Sequence, residues 1–277
     1  MLADRETPGR LAIIAGAGDL PRTLHAANPQ ALFVSLKGID VTPPDGGDLA
    51  EASYEKLGAL FRLLHRAGVK RVCFAGHVSR PKLNPLRMDM TTLALFPRLK
   101  AVLGKGDDTV LRLVADVFEE QGFEVVSASD VSSSLTGQAQ NAGREMSAQD
   151  RADAVRAFAI LRALDPLDVA QCAVVAGGQC LGIESIQGTD ALLSYVAQTP
   201  EKLKLGAAGV FVKRPKTGQD SRMDTPTIGP ETVRNVARAG LGGIVIPAGQ
   251  VLVLDQPEVI RLVEELDLFL EMRKGEA

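Results

Sequence analysis

The chain has 277 residues, 45% of them hydrophobic and 23% charged; with only 27 Gly and 15 Pro, this excludes general disorder and a collagen-like or low-complexity polymer. Its 31 basic and 34 acidic residues leave a net charge of -3, so no global field draws it onto nucleic acid or an anionic membrane, and any anion site must be local. A polar start and the lack of an apolar run near the roughly 18 residues of a spanning helix predict a cytoplasmic protein without a signal peptide, with peripheral membrane contact left open. In chain order, 11–15 is a continuous apolar run, Gly16-Ala17-Gly18 follows, 20–27 is helical, and 31–36 is a second strand, which opens a βαβ unit. Leu57, Leu60, Phe61 and Leu64 give 53–67 helical spacing, 71–76 reads as a strand ending in glycine, 108–121 as an amphipathic helix stopped by Gly122, and 123–128 as a strand. This alternation predicts a parallel sheet covered on both faces, a Rossmann-like N-terminal domain over 1–130.

The polar stretch 131–147 reads as a linker. A helix over 149–164 with Ser147 as N-cap opens the second half, followed by strand-like runs at 170–176, 181–185, 208–213, 243–246 and 251–254. These predict a smaller C-terminal α/β domain over 148–277, ending in a short polar tail after Glu271. Cys73, Cys172 and Cys180 are an odd set without CxxC spacing, the first two inside apolar strand-like runs, so neither a disulfide nor a zinc site is expected. His25 and His65 lie in helical stretches without a metal-ligand partner, and the lack of Trp leaves few platforms for stacking nucleic-acid bases.

Gly16 and Gly18 follow a strand and open a helix, so this turn is either a plain tight turn or a place where backbone N–H groups hold a phosphate. Pro21 in place of a third glycine, and Lys37 where a ribose reader would be acidic, argue against a dinucleotide redox cofactor; the P-loop motif is absent. Gly76, His77 and Arg80 lie just past the end of a strand, where open α/β sheets bind ligands; this stretch is either a phosphate contact or a strand-to-helix turn with a solvent-exposed Arg. Lys105, Asp107 and Asp108 precede or open a helix; the aspartates serve as caps or as oxygen ligands for Mg2+. Thr189 and Asp190 either cap the next helix or meet a sugar hydroxyl. The longest polar loop, 213–229, holds Lys213, Arg214, Lys216 and Arg222 with Asp220 and Asp224, as well as Gln219 and Thr227. It is either a solvated loop or a site whose cations neutralise a diphosphate while its carboxylates hold a metal or activate water.

Taken in order, Ile14-Ala15-Gly16-Ala17-Gly18-Asp19-Leu20-Pro21, Cys73-Phe74-Ala75-Gly76-His77-Val78-Ser79-Arg80-Pro81, Lys105-Gly106-Asp107-Asp108, Gly188-Thr189-Asp190-Ala191-Leu192-Leu193, Arg222-Met223-Asp224-Thr225-Pro226-Thr227-Ile228-Gly229 and Ala239-Gly240-Leu241-Gly242-Gly243-Ile244 give a chain that resembles the UDP-2,3-diacylglucosamine pyrophosphatases of the LpxI type over nearly its whole length. The resemblance implies two domains with the lipid substrate held between them, and Mg2+-dependent hydrolysis to 2,3-diacylglucosamine 1-phosphate (lipid X) and UMP, water attacking the phosphorus nearer the sugar. It places the essential carboxylate on Asp224. Asp107, Asp108 and Asp220 are added from the residues as further metal or water-positioning candidates. Gly16, Gly18, Gly76, His77, Arg80, Lys105, Thr189, Asp190, Lys213, Lys216, Gln219, Arg222 and Thr227 make up the expected substrate-binding set.

His77, Gln187 and Thr225 depart from the Asn, Glu and Leu frequent in that family. The acyl chains require an apolar cleft, for which Leu192, Leu193, Val196, Leu262, Val263 and Leu266 are candidates, with core packing as their other role. A homo-oligomer touching the inner membrane transiently is expected. A lipid or nucleotide-sugar binding protein without catalysis, and a nucleotide-sugar transferase, are the alternative functions.

Overall fold

The structure, a computed structural model, describes residues 9–78, 84–102, 107–136 and 141–274, with residue 107 by its backbone alone. It divides into two compact units, one running to Ser133 and taking in Asp220–Asp224, the other comprising Ser134–Gln219 and the chain from Thr225 onward.

The first unit is built on strands β1 (Arg10–Ala15), β2 (Leu32–Leu36), β3 (Leu49–Ala52), β4 (Val69–Ala75) and β5 (Glu124–Val125), and on helices α1 (Leu20–Ala27), α2 (Leu57–Arg66), α3 (Met90–Val102), α4 (Asp107–Glu120) and α5 (Ala128–Val131). Its five-stranded sheet runs β3-β2-β1-β4-β5 and every pairing is parallel. β1 is central, with Ile13 opposite Phe33 on one side and Cys73 on the other, so both faces of its apolar run are buried. The chain passes from β1 to β2 on one side and returns to β4 on the other, which makes the C-terminal ends of β1 and β4 the topological switch point where such sheets bind ligands.

Helix α2 buries Leu60, Phe61 and Leu64, and Phe61 meets Phe118 of α4 edge-on at 5.1 Å. Its first turn is capped from the start of α3: Asp89 Oδ2 accepts the Ala59 N–H at 3.0 Å and Thr92 Oγ1 accepts that of Leu57 at 2.8 Å. The expected strand over 123–128 shrinks to two residues because Ser127 forms a capping box with Asp130 and starts α5.

The second unit contains β6 (Ala142–Gly143), α6 (Ala148–Leu164), β7 (Cys172–Ala176), β8 (Gln179–Ile183), α7 (Thr189–Val196), β9 (Val210–Lys213), β10 (Thr227–Ile228), α8 (Pro230–Arg238), β11 (Gly243–Pro247), β12 (Leu252–Val253), α9 (Gln256–Glu265) and β13 (Phe269–Arg273). Its sheet runs β6-β13-β11-β9-β7-β8, with β9, β11 and β13 parallel and β6, β7 and β8 antiparallel to their neighbours; β10 and β12 form a separate parallel pair. Expected to be smaller, this unit is about as long as the first and its sheet has six strands.

Helix α6 begins with the expected Ser147 cap, whose Oγ accepts the Asp150 N–H at 3.1 Å while Asp150 accepts the Ser147 N–H at 2.9 Å. Phe158 and Leu161 of α6 pack on Val175, Val212 and Val245 across one face of the sheet. Helices α7, α8 and α9 cover the other face. There Leu192, Leu193, Val196, Leu262 and Val263 belong to the buried core and pack the sheet, while Leu266, at the end of α9, is exposed. Within 131–147, a 3-10 turn at Ser133–Leu135 and a bridge from Thr136 to Leu252 precede β6. The expected polar tail is still sheet at Met272 and Arg273, which pair with Ile246 and Pro247. Helix spacing hides β13 because α9 stops only just before it, with Asp267 in the left-handed region at φ 53°.

Candidate active site

The loops after β1 and β4 meet backbone to backbone. Gly16 donates its N–H to the Ala75 carbonyl at 2.7 Å, Ala17 donates to the His77 carbonyl at 2.8 Å, and His77 donates back to Ala17 at 2.9 Å. Gly16 is buried, and a Cβ there would sit 2.7 Å from the Gly76 and His77 backbone; Gly76 adopts φ +87°. Both glycines are therefore required by the neighbouring loop, and the N–H groups of Gly16 and Ala17 are spent on it. Gly18 differs: its φ is +96°, nothing lies within 4 Å of where its Cβ would be, and it is exposed with Asp19 at the start of α1. The His77 side chain is exposed on the same edge.

Asp220–Asp224, which come from the long polar loop, belong to the first unit. Met223 is buried in the same core as Phe61, Phe118 and Val72. The Asp220 N–H donates to Asp108 Oδ1 at 3.3 Å, and Arg222 Nη1 pairs with Glu119. Within the turn, Asp220 Oδ1 accepts the backbone N–H and Nε of Arg222, both at 3.0 Å, and Oδ2 accepts Nη2 at 2.7 Å. The Asp224 N–H closes the turn onto the Asp220 carbonyl at 3.2 Å, and the Asp224 side chain is half-buried. Hydrogen bonds from Arg222 hold the Asp220 carboxyl below the usual carboxylate range, with burial opposing them, and the Arg222 guanidinium is raised in turn.

This bonding sets the surroundings of two metal candidates. Asp108 is held by Arg112 Nε at 2.7 Å and Asp220 by Arg222 Nη2 at 2.7 Å, so each carboxylate faces a guanidinium in this structure. Arg222 likewise spends its charge on Asp220 and Glu119. Among the described residues, no three His, Cys, Asp or Glu side chains come together as a metal cage. Helix α4 begins at Asp107, whose side chain lies outside the described residues, as do Arg80 and Lys105.

In the second unit the N-cap of α7 is Gly188, at φ +85°, and neither Thr189 nor Asp190 caps the helix. Thr189 instead stands at the centre of a polar chain. Its hydroxyl donates to Glu184 Oε1 at 2.7 Å and accepts from Lys213 Nζ at 3.0 Å. Glu184 Oε2 also accepts the Gln171 N–H at 3.0 Å. Lys213 is 8% exposed and makes no ion pair among the described residues. Cys172 lies against this chain, and burial pushes its thiol up to about 12 despite Lys213.

Asp190 accepts from Asn235 Nδ2 at 3.0 Å. Lys216, expected to neutralise a diphosphate, is paired with Asp168, and Gln219 is a bracket for the loop, its Oε1 accepting from the Lys216 N–H and from Gln171. Thr227 donates to the Thr225 carbonyl at 3.0 Å. Arg214 forks onto Asp165, which also accepts from Thr217; burial raises the Asp165 carboxyl, but the Thr217 and Arg214 bonds prevail and hold it low. Glu119, Asp165, Asp168 and Glu184 are the partners that sequence reasoning missed. Glu119, Asp165 and Asp168 are each far along the chain from the cation they meet, and the visible hint was an excess of cations in the loop over its two carboxylates; Glu184 lies only five residues before Thr189, but across the turn that opens α7, where no spacing rule pairs them.

Among the described residues no helix is long and apolar enough to cross a membrane. Residues 10–135 match the LpxI N-terminal domain and residues 137–271 match the LpxI C-terminal domain. The chain is 38% identical over 269 residues to UDP-2,3-diacylglucosamine pyrophosphatase LpxI of Caulobacter vibrioides, an alignment covering 94% of this chain and 96% of that protein. With both domains matched in order and nearly all of its length aligned, the chain belongs to the LpxI family.

Proposed function

We propose that this protein hydrolyses the pyrophosphate bond of UDP-2,3-diacylglucosamine, releasing UMP and 2,3-diacylglucosamine 1-phosphate for lipid A synthesis. The observation that carries this reading is the match through both domains at 38% identity to a protein of that activity. The chain's own geometry supports it at two places. Asp224 sits on a turn fixed by the Arg222 fork and the buried Met223, a rigid support of the kind a reacting carboxylate needs. Lys213 is a buried cation whose recorded partner is a neutral hydroxyl, which suits it to offset diphosphate charge.

In this reading Asp224 orients and deprotonates the attacking water, which adds to the phosphorus nearer the sugar, and UMP departs with the bridging oxygen. Gly18, at the open end of the β1 loop, lets backbone approach the nucleotide or phosphate, with His77 on the same edge. Mg2+ would be held by Asp224 and the diphosphate's own oxygens, because this ion takes one or two protein carboxylates and keeps the rest of its shell for phosphate and water. Bound there, it would neutralise charge building on the leaving phosphate. The protein works at the cytoplasmic side of the inner membrane as a homo-oligomer.

The experiment is release of UMP and lipid X by purified protein with Mg2+, run beside Asp224→Ala and with EDTA. Cleavage by the wild type is expected, with a loss on the order of a hundredfold or more in the variant at unchanged thermal midpoint, and no turnover in EDTA. A well-folded wild type that binds the substrate without cleaving it would reduce the protein to a carrier. Full activity in EDTA would remove Mg2+ from the reading.

A further inference from the structure

We infer that the segment 84–102, comprising the 3-10 turn Pro85–Arg87 and helix α3, is the surface through which this protein enters the headgroup region of an anionic bilayer. Its apolar residues are exposed to an unusual degree: Leu86 is 95% exposed, Met90 80% and Leu93 46%. Single exposed apolar side chains are ordinary, but three within eight positions of one another form a patch that needs a partner. Helix α3 is apolar on nearly all sides, yet among its described residues only Thr92 is buried, so the helix contributes little to the core.

Charge selects the partner. The segment holds Arg87, Arg98 and Lys100 against a single acid, Asp89. Asp89 is turned inward, its carboxylate accepting from Ala59 and Thr92, and Arg98 is paired with Glu120, which leaves Arg87 and Lys100 as exposed cations beside the apolar patch. Exposed apolar side chains flanked by cations are what an interfacial segment presents to anionic lipid: the apolar groups enter the acyl boundary and the cations stay at the phosphates.

Position agrees with charge. The caps from Asp89 and Thr92 fasten the start of α3 to the first turn of α2, which follows the C-terminal end of β3. The patch therefore stands at the same sheet edge as Gly18, Gly76 and His77, and the chain runs from that loop through the patch to α4 and Asp108. The fit is also tight, because a Cβ on Gly58 of α2 would lie 2.5 Å from Thr91 Oγ1. A lipid-docked patch on this edge would deliver an amphiphile from the leaflet to the loops that meet its phosphates; in this step alone the inference rests on the function proposed above.

The test is sedimentation of the full chain with vesicles of phosphatidylethanolamine and phosphatidylglycerol, compared with phosphatidylcholine alone, for the wild type, Leu86→Glu, Met90→Glu, Arg87→Glu and, as a control elsewhere on the surface, Ile186→Glu, a residue 87% exposed. The wild type and Ile186→Glu are expected to bind anionic vesicles, and each patch variant to bind about tenfold less or weaker still. Release of UMP is expected to fall for vesicle-borne substrate and to hold for substrate dispersed in detergent. Equal binding by all variants would overturn the inference, as would equal loss in Ile186→Glu. Unchanged vesicle binding with lost activity in detergent would make the patch a wall for acyl chains instead, and patch variants that only dissociate an oligomer would make it a protein interface. Sedimentation requires no turnover, so failure of the proposed reaction and failure of membrane docking are read separately.

Discussion

Gly16 and Gly76 face each other across the ends of β1 and β4 with no room for a side chain on either: a Cβ on Gly16 would lie 2.7 Å from the Gly76 carbonyl, and one on Gly76 would lie 2.5 Å from the Ala17 carbonyl. The atoms in the way are backbone, so neither loop can yield without moving the strand ends. Gly76→Ala adds left-handed strain to the clash and is expected to cost about 2–4 kcal/mol, with Gly16→Ala somewhat less. Gly18→Ala meets nothing and carries only the strain of its positive φ, about 1 kcal/mol. Urea midpoints for the three variants check the order. A Gly18 variant as damaging as the other two would show that the pressing neighbour at that loop is not the β4 backbone.

The Asp220–Arg222 fork makes a pH prediction. A carboxyl held low in the folded chain stabilises it above the unfolded value of about 4, and that contribution is lost as pH falls through the lower folded value. Stability should therefore decline on acidification below about pH 4, and Arg222→Met, which removes the main cause of the shift, should flatten that acid limb. At neutral pH the variant is expected to lose about 1 kcal/mol, since Asp220 keeps the backbone N–H of residue 222 but not the guanidinium. Arg222→Lys should not restore the loss, because an ammonium cannot reproduce the fork. Denaturant midpoints from pH 3 to 7 decide it; parallel acid limbs for wild type and Arg222→Met would count against the fork.

Most of the first unit was legible because its rules are local and repetitive. A continuous apolar run at 11–15, too short for a helix and closed by Gly16 and Gly18, reads as a strand buried on both faces, and Leu57, Leu60, Phe61 and Leu64 recur with helical spacing. β3 was not legible, since Leu-Ala-Glu-Ala at a sheet edge carries no strong pattern, and α3 escaped because it is apolar on nearly all sides and contains Pro97. The candidate site residues could be named by type, but their bonding could not be read. Lys216 and Asp168, or Arg222 and Glu119, meet only after the chain folds, and those meetings decide which cations still carry charge for a ligand. The same holds for Asp220–Asp224: chain position puts them in the second half, whereas burial of Met223 ties them to the first unit.

The three cysteines should separate cleanly. Burial, with Asp130 adding to it, pushes the Cys73 thiol up to about 12, and burial lifts Cys172 to about 12, while Cys180 is exposed on β8. The thiolate is the reactive form, so at pH 8 an aromatic disulfide reagent should modify Cys180 alone in the native chain and all three once urea is added. Rapid modification of Cys172 in the native state would mean that the sheet opens between β7 and α7, and Cys180→Ser should abolish the native signal.

Lys213 gives the sharpest division between support and chemistry. Its ammonium donates to Thr189, and Thr189 donates to Glu184, so the hydroxyl separates a buried cation from the carboxylate that would otherwise neutralise it. Thr189→Val removes the spacer's bonding, taking from Lys213 its acceptor and from Glu184 Oε1 its donor while Oε2 keeps the Gln171 N–H; it should cost about 1–3 kcal/mol of stability. Lys213→Met keeps the apolar stem of the side chain and deletes only the charge, so its stability should change by about 1 kcal/mol or less while KM for the nucleotide-sugar substrate rises by about tenfold to a hundredfold. Initial rates over a range of substrate, with thermal midpoints alongside, distinguish the two. A Lys213→Met protein with unchanged KM and a large loss of stability would make this lysine a structural partner of Thr189, and the diphosphate's charge would then have to be met by other cations of the chain.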